Sequence, residues 1–425
     1  MKKKKAPLVR RMKEFVKTSV VWGPLDHNLF FTIIFLNVYG IIMVYSASYN
    51  NSITKNYSYF MNNQLKNVIF GFVIMIVASY VNYHRIVRLG WGWFWLLAAV
   101  AIIAALKTPL AHSELGATRW IKLGPVSFQA AEPIKAAIII FFAYYVSYWG
   151  LNRWYNQLLA CLLAIALLGF LFFFSNNLST VIVLFCICAV IILSSVKKPD
   201  LYVYFLLGLA LIIIAAIFVT VYLLMHQGAE NFRFVRIRAW LHPEEYAADE
   251  GLQAMQARYA IGAGGFWGKG LGQSLIKFKL SYSYNDFILA IICEELGGFG
   301  VIVMMTLFGY LLYRIYKIAQ NAWDIEGKVL AIGVFTQIAL QLLINVMVVT
   351  SVIPTTGVTL PFFSAGGTSV VFLLAELGMV LNVDKYAKER RFFEEAERHV
   401  AQMEQRGGIG VAGWRRRLDS ARTRR

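Results

Sequence analysis

FILAIICEELGGFGVIVMMTLFGYLLYRI, residues 287–315, is an apolar run too long for an ordinary core helix. A helix rises 1.5 Å per residue and crosses about 30 Å of hydrocarbon in about 20 residues. The run holds 29 residues and three charges, Glu294, Glu295 and Arg314. It therefore reads as a membrane-spanning helix. Its two adjacent carboxylates would lie about 12 Å deep, where charge is expensive without partners. Their expected role is structural: a buried ion pair, with Arg119 or Lys135, that locks helices together.

Nine further apolar runs flank this one. They cover Leu29–Ser48, Val68–Val81, Gly92–Leu106, Pro133–Trp149, Gln157–Phe174, Leu178–Val196, Leu201–Met225, Val329–Val349 and Ser369–Val383. The chain has 425 residues, 59% hydrophobic and 15% charged. Its mean hydropathy is +0.59. A soluble domain would carry about a quarter charged residues, and a transmembrane barrel would show short alternating segments. The fold class is thus an all-α polytopic membrane protein of about ten transmembrane helices, with a large loop between spans seven and eight. Residues 1–27 form a basic arm with a short interfacial helix around Phe15, Val16 and Val20. Residues 28–384 form the membrane domain, and 385–425 a basic tail, with Phe392, Phe393 and Val400 extending span ten and disorder beyond Gly407. The first span carries no small-residue cleavage site and is expected to stay in the mature protein. Cys161, Cys186, Cys188 and Cys293 all fall in apolar runs and read as small buried residues.

The net charge of +18 does not point to nucleic acid. The basic residues cluster at the chain ends, where topology and anionic lipid headgroups account for them. With both termini cytoplasmic, 28 Lys/Arg lie inside and 6 outside, apart from the long loop. The intervals after spans three and seven then face outward.

Residues 226–286 are the longest polar interval. Within them GAGGFWGKGLGQSLIKFKLSYSYND, Gly262–Asp286, opens on glycines and carries Lys269, Lys277 and Lys279. Glycine lets backbone approach a ligand, and lysines attract phosphate. Asp286, at the lip of span eight, is a candidate general base. Together they suggest an active-site loop for a lipid-linked pyrophosphate. Arg233, Arg236 and Arg238 interleave with aromatics and suit a polyprenyl phosphate or a lipid headgroup. In GATRWIKLGPVSFQAAEPIK, residues 116–135, Arg119 and Lys122 suit phosphate and Trp120 suits the interface. Glu132 precedes Pro133 at a helix start. It either caps span four and pairs with Lys135 one turn on, or takes part in function. In IPTTGVTLPFFSAGGTS, residues 353–369, Pro354 and Pro361 stiffen a broken segment that must line a cavity or be buried. Ser364, Thr368 and Ser369 suit sugar hydroxyls. Gln341 and Asn345 are polar inside span nine and face the bundle.

Five motifs in order resemble the SEDS family, which includes RodA, FtsW and SpoVE: MVYSAS, GATRWIKLGPVSFQAAEPIK, GGFWGKGLGQS, YNDFILAIICEELGGFG and PTTGVTLPFFSAGGTS. The likeness runs from about Asp26 to Tyr386. VTLPF and LNVDKY look more like FtsW and SpoVE. The resemblance implies a peptidoglycan glycosyltransferase that polymerises lipid II, an undecaprenyl-linked glycan, at the outer face of the bacterial cytoplasmic membrane. It also implies a class B penicillin-binding protein as partner, within the divisome or elongasome. The family's loop aspartate falls on Asp286, its Arg-Trp on Arg119 and Trp120, and its Ser-Glu-x-x-Lys on Glu132 and Lys135. Three places depart from the pattern. Ser175–Thr180 replaces Gln-Pro-Asp-Leu-Gly-Thr and loses a carboxylate. Tyr282, Ser283 and Tyr284 replace the end of Pro-Glu-Ala-His. Ala365 replaces a tyrosine.

The expected chemistry is an inverting transfer with Asp286 as base. Arg119, Lys135, Arg233, Lys269 and Lys277 would receive the leaving diphosphate. A divalent cation, Mg or Mn, could assist, although no sequence feature fixes a metal site. The alternative is a lipid II flippase that uses Glu294 and Glu295 in a gated path.

Overall fold

The computed structural model describes residues 21, 23–48, 59–109, 111–114, 117–123, 126–175, 177–196, 239–241, 243–245, 250–278, 284–365 and 367–405, with single residues at 204, 208 and 212. The helices are α1 (His27–Ser48), α2 (Tyr59–Tyr80), α3 (Tyr83–Val87), α4 (Trp93–Ala105), α5 (Ala131–Trp149), α6 (Trp154–Ser175) and α7 (Leu178–Ser195). They continue with α8 (Glu250–Gly264), α9 (Ile288–Gln320), α10 (Ile325–Val349) and α11 (Thr368–Gln405). Nine of the ten anticipated spans are helices among the described residues. The seventh, Leu201–Met225, lies largely outside them, as do the basic arm and the chain beyond Gln405.

Among the described residues, six helices are long and apolar enough to cross a membrane: α1, α2, α6, α7, α9 and α10. α5 and α11 fall below that mark because they carry charge, Glu132 and Lys135 in one, Glu376, Asp384 and Lys385 in the other. All five of these side chains except Asp384 are buried in the bundle. The protein is an all-α polytopic membrane protein with about ten transmembrane helices.

Two boundaries differ from the sequence reading. α2 starts at Tyr59 rather than Val68, because Gln64 is buried and extends the packed face backward. α11 continues past the membrane to Gln405, as the Phe392–Val400 spacing anticipated. The interval after span three holds something that sequence did not show. Ala111–Glu114, Ala117–Leu123 and Val126–Gln129 form an antiparallel three-stranded sheet, β1-β2-β3. Trp120 stands opposite His112 and Gln129. β3 runs directly into α5, so the sheet fixes where Glu132 enters the bundle.

Helix pairs are held by close contacts and polar rungs. A methyl group at Gly378 of α11 would lie 2.5 Å from the Met75 carbonyl of α2, so this crossing tolerates only the smallest residue. α1 is fixed to α9 at two levels. Asp26 pairs with Arg314, and Ser46 donates to Glu295.

A further polar tie joins the α2–α3, α9–α10 and α11 segments. Asp324 caps α10 by accepting from Gly327 N at 2.8 Å. The same carboxylate accepts from Tyr83 Oη at 2.7 Å and lies 2.6 Å from His84 Nε2. Glu326 takes Arg88 at 2.8 Å and Ser147 at 3.0 Å. Asn382 of α11 accepts from Tyr83 N at 3.0 Å. Burial alone would raise the Asp324 carboxyl, but the bonds from His84, Gly327 and Tyr83 outweigh it and hold the group below its ordinary value. The ionised form is therefore favoured by folding. Its contribution is complete above the ordinary carboxylate range and is lost as pH falls through the lowered value. Asp324→Asn should cost about 1–3 kcal/mol at neutral pH and flatten the acid limb of a thermal-unfolding series. An unchanged acid limb would remove Asp324 from this account.

Candidate functional site

Asp286 stands in the turn, residues 284–287, that enters α9, and its side chain is half-buried. The turn is built by partners from distant sequence. Asn345 of α10 donates its amide to the Asp286 carbonyl at 2.9 Å and to the Val358 carbonyl at 3.0 Å. Ser364 donates to the Asn285 carbonyl at 2.9 Å, and Ala365 N to the Tyr284 carbonyl at 2.9 Å. Tyr284 packs its ring 4.4 Å from that of Phe60 in α2. The turn that carries Asp286 is thus held from α2, α10 and the 353–365 segment. Such support fixes the position of the turn.

The Pro/Gly-rich segment is half-buried over residues 353–359 and buried over residues 360–364. Ser364 spends its hydroxyl on this scaffold, donating to Asn285 and accepting from Leu360 N at 2.7 Å. Its direct role is to position the Asp286 turn. Ser364 also lines a small pocket with Glu132, Gln341, Leu360, Ser369 and Val370. The pocket therefore joins Glu132 of α5, Gln341 of α10 and the stretch 359–373, and Ser364 links its wall to the Asp286 turn. Ser369 reaches Gln129 at 3.5 Å. The Thr368 hydroxyl is buried and has no protein partner among the described residues.

Glu132 and Lys135 are both buried and pair at 2.9 Å. The expected one-turn pair is present. Beneath it lies a carboxylate that sequence reading passed over. Glu376 of α11 is buried and accepts from Gln337 of α10 at 2.8 Å. The signal was a lone acidic residue inside an apolar run, which by itself names no partner.

The Gly-rich loop is arranged differently from its sequence appearance. Gly262 and Gly264 belong to α8, so the loop proper begins at Gly265. Lys269 Nζ donates to Glu294 at 2.8 Å. The same carboxylate takes Ser274 Oγ and the amides of Leu275 and Ile276, at 3.1 and 3.3 Å. Lys277 Nζ lies 3.6 Å from Glu295 and donates to the carbonyls of Gly272 and Ser46, at 2.7 and 3.3 Å. Both glutamates are fully buried. The structural role expected for Glu294 and Glu295 is the geometry seen, but the partners are corrected. They are Lys269, Lys277, Ser46 and Ser274, not Lys135; the Arg119 side chain lies outside the described set. Lys135 is occupied by Glu132 on another helix, and these lysines reach the glutamates because the loop folds back.

Helix α9 breaks at Gly297, where φ is +65°. The break frees backbone groups, and the loop takes them up. Lys269 N and Gly270 N donate to the Glu294 and Glu295 carbonyls at 3.0 and 2.9 Å. Gly298 N and Phe299 N donate to the Gly265 and Phe266 carbonyls at 2.9 and 3.0 Å. A Cβ at Gly297 would sit 2.3 Å from Gly268 N, and the backbone there is one only glycine adopts readily.

Arg119 lies on β2 with its side chain outside the described set, and Trp120 beside it is half-buried. Arg233 and its neighbouring arginines also lie outside the described residues. The altered Ser175–Thr180 loop is knit locally. Asn177 caps α7 by accepting from Thr180 N at 3.4 Å, and Ser179 donates to the Thr356 carbonyl at 3.0 Å. An asparagine caps a helix as well as an aspartate does. Among the described residues no three His, Cys, Asp or Glu side chains gather in a metal-binding group.

Removing one partner of a buried ion pair leaves the other charge stranded, at about 3–5 kcal/mol. Lys277→Met should destabilise the protein by that order, and Lys277→Met with Glu295→Gln should recover much of the loss. Thermal unfolding of wild type, Lys277→Met, Glu295→Gln and the double variant measures it. Additive losses would show that the pair is not coupled.

Comparison with known proteins extends these observations. Residues 26–389 match the family model FTSW_RODA_SPOVE, described as cell cycle protein. The chain is 31% identical over 384 residues to a probable peptidoglycan glycosyltransferase FtsW of Trichlorobacter lovleyi, covering 88% of this chain and 96% of that one. It is 33% identical over 372 residues to stage V sporulation protein E of Bacillus subtilis, covering 84% and 96%. Among solved structures, a chain of a peptidoglycan synthase complex matches with a TM-score of 0.71 at 22% identity, covering 86% of this chain and 99% of that one. The motifs, the helical order and the match across nearly the whole membrane region agree, and the chain belongs to the FtsW/RodA/SpoVE family.

Proposed function

We propose that this protein is a peptidoglycan glycosyltransferase that polymerises lipid II. The observation that carries the reading is Ser364, which lines the pocket walled by Glu132 and Ser369 and whose hydroxyl also bonds the turn that bears Asp286. The relatives named FtsW support the same activity. The site works at the outer face of the bacterial cytoplasmic membrane, and both termini are cytoplasmic. The 28-to-6 distribution of Lys/Arg supports that orientation.

In the reaction, Asp286 takes the proton of the acceptor GlcNAc 4-hydroxyl. The freed oxygen pair attacks C1 of the MurNAc on the donor glycan. The bond from C1 to the pyrophosphate oxygen breaks, and undecaprenyl pyrophosphate leaves with the electron pair. A single base suits inversion, since retention would call for a second carboxylate as nucleophile. Lys269 and Lys277 are engaged with Glu294 and Glu295, so the leaving charge falls chiefly to Arg119, Arg233 and its neighbouring arginines. Trp120 lies beside Arg119 and would hold the glycan or the lipid boundary. Lys135 orients Glu132 at the pocket wall. Thr368, with its unused hydroxyl, and Ser369 would meet sugar hydroxyls. A divalent cation, Mg or Mn, would assist the reaction without drawing on the Asp286 carboxylate, which serves as base. It would supply charge at the diphosphate.

The likeness to a chain of a peptidoglycan synthase complex supports a class B penicillin-binding protein as the crosslinking partner, within a division or elongation assembly.

Asp286→Asn should lower polymerisation of purified lipid II by about 10²–10⁴-fold while leaving expression and thermal midpoint intact. Wild-type turnover in that variant would reject Asp286 as base. Translocation of lipid II without polymer, in the same reconstituted vesicles, would favour a flippase instead. A chelator should depress turnover and Mg²⁺ restore it; full activity in chelator would dismiss the cation.

A further inference from the structure

The loop from Gly265 to Phe278 turns its large apolar side chains outward and spends both of its lysines on buried glutamates. Lys277 is buried, and Lys269 is engaged with Glu294. By contrast Trp267 is 77% exposed and Leu275 66%, with Phe266, Leu271 and Phe278 each more than half exposed. A loop bathed in water would show the reverse arrangement. This inversion belongs to segments that face hydrocarbon.

The patch is continuous with a surface that already faces lipid. Trp267 packs its ring 5.9 Å from that of Phe299 on α9. Phe299 and, one turn on, Ile302 are both more than half exposed on that spanning helix.

The level of the loop follows from the two rungs between α1 and α9. Asp26 pairs with Arg314, and Ser46 with Glu295. The rungs are 20 residues apart on α1 and 19 on α9. At 1.5 Å per residue that is about 30 Å, the hydrocarbon thickness. Asp26 and Arg314 mark one boundary of the membrane, and Ser46 and Glu295 the other. Helix α9, at 33 residues, is longer than the membrane is thick. Glu294 therefore sits at the boundary, not 12 Å beneath it as the apolar run alone suggested. Asp286, in the turn that precedes α9, lies on the side of Glu295 away from Arg314.

We infer that the 265–278 loop rests in the bilayer at this boundary, with Phe266, Trp267, Leu271 and Leu275 among the acyl chains and headgroups. Tryptophan at that depth acts as an interfacial anchor. Because the loop is bonded to the Gly297 break, anchoring it sets the height of the Asp286 turn above the lipid. The occupant is the lipid bilayer rather than a partner's membrane helix, because the loop continues the lipid-facing surface of α9. The inference does not depend on the reaction proposed above.

The test places a nitroxide at position 271 or 275 of the full-length protein in lipid nanodiscs, with the four native cysteines replaced by alanine. Collision with oxygen and with a water-soluble nickel chelate is then measured. The oxygen-to-nickel ratio should match that of a label at Ile302 and exceed that at exposed Lys122. A ratio like that of Lys122 would overturn the lipid seat, and it is the result expected of a surface awaiting a protein partner. A second measurement leaves the cysteines in place. Brominated lipids should quench the emission that Trp267→Phe removes, and a failure to do so would equally overturn the inference.

Discussion

Two carboxylates sit side by side at a break in a membrane helix, and each is matched by a lysine from a loop. This is the constraint on which the outer half of the molecule depends. Unmatched, Glu294 and Glu295 would be too costly to bury. Matched, they hold residues 265–278 against α9 and, through Ser46, against α1. The Gly297 break and the loop solve one problem together. The break releases backbone donors and acceptors, and the loop supplies their partners.

The site is organised by the same economy. Asp286 is fixed through its backbone carbonyl by Asn345, and its neighbour Asn285 by Ser364. The polar groups inside the bundle thus serve to build a turn, and the turn presents one carboxylate. Glu132 reaches the common pocket by another route. A small sheet delivers the chain into α5, and Lys135 neutralises the glutamate on arrival. The opposite end of the bundle uses Asp324, His84, Arg88 and Glu326 in the same manner, tying connections rather than helices.

The spans were legible because apolar length is a property of sequence alone. The Glu132–Lys135 pair was legible because both partners lie on one helical turn. Helix α11 beyond the membrane was legible from Phe392, Phe393 and Val400. The sheet at Ala111–Gln129 was hidden, because its strands are short and irregular in pattern. The roles of Lys269 and Lys277 were hidden for a different reason. A lysine beside glycines looks like a phosphate ligand until the loop's direction is known, and that direction is fixed by glutamates some twenty residues later. Glu376 escaped notice because its partner Gln337 lies 39 residues away on another helix.

Sequence by itself determined that the chain is a bundle of membrane helices, which motifs lie between them, and that Asp286 is the loop carboxylate to examine. These follow from hydropathy, spacing and local pairing, which operate within a few turns of chain. Tertiary structure alone decided which lysine meets which glutamate, which serine holds the Asp286 turn, and which way the Gly-rich loop faces. Those contacts bridge up to 231 residues, as between Lys277 and Ser46. The long-range partner of a charge buried in a membrane bundle is set by helix packing, and packing is not written in any one segment.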